Sequence, residues 1–170
     1  VTMIPPGKSP ENYSPTPQEM ESFSRADLYF SIGVPAEEAS ILPKAKDFNS
    51  KIKIVDLAAI VGEVYPHRYF DEDEEHGSGN DEDNHSHEGR DPHIWLSPKR
   101  VMVMIDIIAQ ELSNFDPQNK SFYEKNAQDY IKKLEELDSE IRQTLNNIKN
   151  KTFIIYHPAF GYFADDYGLN

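Results

Sequence analysis

Cysteine is absent from the 170 residues. Disulfides, thiolate metal ligands and cysteine nucleophiles are therefore all excluded. Any metal this chain holds must be held by nitrogen and oxygen, from His, Asp and Glu. No apolar run approaches the roughly 18–20 residues of a membrane helix, and no secretory leader is visible. None of the eight glycines falls in GxGxxG, and HExxH and GxSxG are missing. The sequence signatures of dinucleotide binding, metalloproteolysis and serine hydrolysis are thus not present. Basic residues are scarce, with 17 Lys and Arg against 30 Asp and Glu and a formal charge of −13. Nucleic-acid surfaces need clustered cations to neutralise phosphate. Nucleic acid is therefore excluded as a partner, whereas cations fit.

What is present suffices for a packed core. Hydrophobic residues make up 38% and aromatic residues 11%, enough for one ordinary domain or pieces of two. Much of the charge is local. Residues 71–90, DEDEEHGSGNDEDNHSHEGR, hold nine acids and one Arg, a net of −8, which leaves −5 for the rest. So few apolar groups cannot offset the entropy of ordering, and Asp71–Glu88 is expected to be a mobile loop.

Elsewhere the chain alternates strand and helix signals. A loop begins at Pro5, Pro6 and Gly7. Thr16–Pro17 then reads as a helix cap followed by proline at the first helical position, opening a helix to about Arg25. LYFSI at 28–32 predicts a strand, Pro35 opens a short helix toward Leu42, and KIKIVDL at 51–57 predicts a second strand. Ser97–Pro98 repeats the cap signal, with Val101, Ile105, Ile108 and Leu112 on one helical face. Asp116–Pro117 starts a long helix with an apolar stripe from Tyr123 through Ala127, Tyr130, Leu134, Leu137, Ile141 and Leu145 to Ile148. Some 30 residues span roughly 45 Å, a length suited to crossing between two lobes. TFIIY at 152–156 predicts a strand, and a further helix follows Pro158. The fold class is α/β with parallel sheet. The opening VTMIPPG reads as a strand end, and the closing DDYGLN as the start of a turn. The expectation is that both ends are truncated.

Three positions could carry metal chemistry. His93, in DPHIWLSP, precedes a capped helix. His157, in IIYHPAFGYF, sits at the expected carboxyl end of a strand, where open α/β sheets place ligands. Glu11 lies between Pro10 and Asn12, ahead of the first capped helix. Taken singly, each has a plain alternative: a hydrogen-bonded loop histidine, a satisfied buried histidine, a solvated glutamate. Together, two histidines separated by a long helix can face each other across a cleft, and neutral imidazole is the commonest nitrogen ligand for zinc and similar ions. His76, His85 and His87 lie in the acidic tract and would serve as auxiliary, weakly bound and fast-exchanging ligands.

In order along the chain, PPGKSPENYSPTP, SRADLYFSIG, the His- and acid-rich insertion, DPHIWLSP, FDPQNKSFYEKNAQDYIKKLEELD and YHPAFGYFADDYGL resemble the metal-specific solute-binding proteins of ABC transporters. These include zinc-uptake binding proteins and manganese-binding relatives. The resemblance implies a two-lobe protein. Residues 1–115 would form an N-terminal α/β lobe lacking its first strand and helix, with the acidic loop at 71–90. Residues 116–150 would form the linking helix, and 151–170 the start of the C-terminal lobe. It implies His93 and His157 as ligands. It places Glu11 where the family's P-H-x-Y block carries histidine, and puts a fourth ligand beyond Asn170. Zn2+ is the implied ion, with Mn2+ second. The implied function is capture outside the cytoplasm, in the periplasm or on the outer face of the cytoplasmic membrane, and delivery to an ABC permease. Membrane association would come through the permease or a missing anchor, and catalysis is not implied. The alternatives are a mononuclear metal-dependent hydrolase and a surface adhesin of the same fold.

Overall fold

The computed structural model describes residues 1–70 and 89–170. The expectations for the acidic tract, including His76, His85 and His87, lie outside the described residues. The chain divides into two compact units, Val1–Ile60 and Val61–Asn170.

In the first unit, helix α1 spans Pro17–Ser24. Thr16 caps it as the sequence predicts, and Glu19 completes the arrangement. Thr16 Oγ1 accepts the Glu19 N–H at 3.3 Å, and the Glu19 carboxylate accepts the Thr16 N–H at 2.6 Å. This reciprocal pair satisfies two donors that a helix start leaves open. Strands β1 (Leu28–Ser31) and β2 (Lys53–Asp56) pair in parallel, with Leu28 opposite Lys53 and Ser31 opposite Asp56. A parallel pair needs a crossover. Here it is made of a wide helical turn at Glu37–Ile41, a tight one at Leu42–Lys44 and the short helix α2, Ala45–Phe48. Met3, Phe23, Ile41, Ala45 and Ile52 form the core, with Met20, Ala26, Tyr29 and Ile54 packed against it. The crossover is fastened at Glu37, whose buried carboxylate accepts the N–H groups of Ile32, Gly33 and Val34 and the Tyr29 hydroxyl. Burial first, and then this contact, push the Tyr29 phenol well above its ordinary value. The division between units falls inside helix α3, Leu57–Val64.

The second unit is built on two helices. Helix α4 (Pro98–Phe115) starts at Ser97, whose Oγ accepts the Arg100 N–H. Helix α5 (Lys120–Asn146) follows a tight turn at Pro117–Asn119. Its 27 residues give roughly 40 Å of helix at about 1.5 Å each. Met104, Ala109 and Ser113 of α4 and Ala127 and Leu134 of α5 are buried. The stripe expected on α4 is only half-buried, and on α5 Tyr130 and Leu137 are exposed. A two-residue antiparallel ribbon, β3 (Tyr69–Phe70) with β4 (Gly89–Arg90), brackets residues 71–88. Helix α6, Gly161–Tyr167, ends at Gly168. That residue takes the left-handed conformation at φ 64°, which glycine adopts without a side-chain clash.

One expected strand does not form. The segment 152–156 carries β-forming residues, yet it is irregular, and Ile154 and Tyr156 are fully exposed. Strand structure needs a neighbour's N–H and C=O groups. Here Phe153 N–H donates instead to Asn170 O, at 3.0 Å. His157 therefore stands in an exposed turn before α6 rather than at a strand end.

Candidate metal centre

His93 lies between β4 and α4, on a stretch held from three sides. Arg100, buried on α4, donates from Nη1 to the carbonyls of Tyr65 and Pro66 at 3.1 and 3.2 Å. Its guanidinium also stacks over the Tyr162 ring, 4.4 Å from the centroid. The Tyr162 hydroxyl in turn donates to Asp91 O at 2.8 Å. Ser97 caps α4 and donates through Oγ to Asp166 of α6, while Lys99 Nζ lies 2.6 Å from the other Asp166 oxygen. Residues before β3, at the start of α4 and along α6 are thus laced together around one loop.

Within that loop Asp91 orients His93. Asp91 Oδ1 accepts the His93 backbone N–H at 2.9 Å and Nδ1–H at 2.8 Å. A carboxylate at Nδ1 assigns the proton there and makes Nε2 the lone-pair atom, which accepts from His157 here and suits a cation in its place. His93 is buried, and its Nε2 lies 3.1 Å from Nε2 of His157. The two rings are nearly perpendicular, with centroids 5.1 Å apart. A zinc ion bonded at about 2.0–2.1 Å to both nitrogens would subtend an angle of about 100°, near tetrahedral. The structure thus brings together the two histidines that are 64 positions apart in sequence. Glu11 belongs to the first unit, where it is half-buried and its N–H donates to Ser9 Oγ at 3.2 Å.

The family model described as ZnuA, zinc-uptake complex component A periplasmic, matches residues 1–170. The chain belongs to the ZnuA family. It is 36% identical over 173 residues to the high-affinity zinc uptake system protein ZnuA of Bacillus subtilis (strain 168), covering 98% of this chain and 51% of that protein. It is 34% identical over 170 residues to the zinc-binding protein AdcA of Streptococcus pyogenes serotype M3, covering 96% of this chain and 33% of that protein. A crystal structure of ZnuA superposes with a TM-score of 0.78 at 32% identity, covering 98% of this chain and 58% of that one. This ZnuA-family chain therefore spans between a third and about half the length of the curated relatives it matches. The α/β class, the parallel strand pair and the long helix agree with that membership.

Sequence reasoning missed Asp91 as the residue that orients His93. The signal was at hand, since an acid two residues before a histidine can reach its ring nitrogen. Arg68 and Gly161 carried no local signal.

Proposed function

We propose that this chain is the ion-capturing portion of an extracytoplasmic solute-binding protein that takes up zinc and passes it to an ABC permease. The observation that carries the reading is the pair of facing Nε2 atoms 3.1 Å apart, one of them fixed in its tautomer by Asp91. The zinc named for the ZnuA and AdcA relatives supports the choice of ion. Two imidazoles also favour zinc over harder ions, and manganese stands second. We assign Glu11 as a third ligand, because it occupies the family's ligand position in the Pro-rich loop before α1. His76, His85 and His87 are assigned to auxiliary, low-affinity capture. Helix α5 would be the link between lobes in the complete protein. The reading is that of a carrier and not a catalyst: the ion is cargo, held by prepositioned ligands until the permease accepts it.

The test is zinc affinity of the full-length protein by competition with a chromophoric chelator. His93→Ala and His157→Ala should each weaken binding at least about 100-fold. Wild-type affinity in both variants would sink the assignment.

A further inference from the structure

A buried carboxylate is costly unless its charge is compensated. The Asp91 side chain is 1% exposed. Its Oδ1 is used by His93, while Oδ2 accepts no hydrogen bond among the described residues. What faces Oδ2 is the guanidinium of Arg68, with Nε at 3.8 Å. Arg68 is itself aimed. Its Nη1 donates to both oxygens of Asp165 on α6, each at 2.6 Å. Its backbone N–H donates to the Tyr162 hydroxyl at 3.1 Å, and its carbonyl accepts the Asp91 N–H at 2.9 Å. The closest approach falls at Gly161, the first residue of α6. A Cβ there would lie 2.4 Å from Arg68 Nε and 2.8 Å from Asp91 Oδ2. Only a residue without a side chain lets both groups settle against the helix start.

We propose that Arg68 is a positioning residue for the metal site: seated over Gly161 and gripped by Asp165, it holds the Asp91 carboxylate against His93 and so keeps the His93 Nε2 aimed at the cation. The inference rests on the metal-capture reading above and adds a coupling to it. His157 lies four residues before Gly161, on the segment leading into α6. The segment that supplies one ligand therefore also anchors the chain Asp165, Arg68, Asp91 that aims the other. Both imidazoles depend on how α6 is seated.

The experiment measures Zn2+ affinity of the full-length protein, by chelator competition, for Arg68→Gln, Arg68→Lys and Asp165→Asn, with His93→Ala as control. Partners beyond a ligand's immediate neighbours typically change metal affinity by about 10–100-fold. Arg68→Gln should weaken zinc binding about tenfold, and Arg68→Lys should recover most of that. Asp165→Asn should weaken it several-fold, although it touches neither histidine. Long-range 1H–15N NMR of the metal-free protein supplies the signature. His93 should be a single Nδ1–H tautomer in the wild type and a mixture in Arg68→Gln. A merely structural Arg68 would lower the melting temperature of the variants and leave zinc affinity and tautomer unchanged, which overturns the proposal. Should Arg68→Gln fail to fold, Asp165→Asn decides, and an affinity within about twofold of wild type refutes the coupling. Undiminished binding in His93→Ala would instead defeat the metal-site reading itself.

Discussion

Asp91 and His93, two positions apart, are joined twice. One carboxylate oxygen accepts both the backbone N–H and the ring Nδ1–H of the histidine, at 2.9 and 2.8 Å. The first bond sets the loop and the second sets the ring. Asp91→Asn keeps the shape and weakens the acceptor, so zinc affinity should fall about tenfold or more. Circular dichroism should show the fold retained. Unchanged affinity would mean that the negative charge of Asp91 adds nothing to the aim of the ring.

Glu11 gives a separate expectation. Under the proposed assignment of Glu11 as third ligand, Glu11→Gln exchanges a carboxylate for a weaker amide oxygen and should weaken zinc binding at least several-fold. Glu11→His should raise the preference for zinc over manganese. Paired titrations with Zn2+ and Mn2+ read both effects, and wild-type affinity in Glu11→Gln removes it from the ligand set.

The helix start at Thr16 can be tested by stability. Thr16→Ala removes the acceptor of the Glu19 N–H and should cost about 1 kcal/mol, whereas Thr16→Gly should cost only a few tenths beyond backbone entropy. Urea unfolding at constant slope distinguishes the two. An alanine variant as stable as wild type would show that tertiary packing alone holds α1.

Glu37 should matter more. Glu37→Ala strands the Ile32, Gly33 and Val34 N–H groups and the Tyr29 hydroxyl in a partly dry site. At about 1–3 kcal/mol for each buried donor left unsatisfied, a loss above about 2 kcal/mol is expected. Glu37→Gln retains an oxygen acceptor and should lose less. Equal losses would show that the ionised carboxylate itself, and not side-chain volume or an amide oxygen, holds the turn.

A pH dependence follows from Asp138 on α5. Burial pushes its carboxyl upward, but hydrogen bonds from Arg142 and the Tyr167 hydroxyl outweigh that and leave it below the ordinary range. A carboxyl lowered in the fold contributes stability that is complete above its unfolded value, about 4. That contribution is lost as pH falls through the folded value. Melting temperatures from pH 6 to pH 2 should therefore drop less steeply in Asp138→Asn than in wild type. Parallel curves would show that the bonds to Arg142 and Tyr167 do not favour the ionised form.

Local chemistry alone determined much of this protein. Thr16–Pro17 and Ser97–Pro98 mark helix starts because a hydroxyl cap and a ring-fixed φ act within one turn of chain. The strands expected at 28–32 and 51–57 followed from apolar, β-branched composition and form at 28–31 and 53–56. The long helix after Pro117 followed from periodicity, and His93 and His157 stood out by the motifs around them. Tertiary structure decided what depends on a partner from elsewhere in the chain. The segment 152–156 has strand chemistry and no strand, because β pairing is a property of two segments. Glu37 became a fastening only when the backbone of 32–34 folded over it. Arg68 reached Asp91, 23 positions away, only because the β3–β4 ribbon sets them opposite each other and Gly161 leaves room for both. The meeting of the two imidazoles is decided at the same level, since a 3.1 Å approach across 64 positions depends on how α6 seats against the loop before α4.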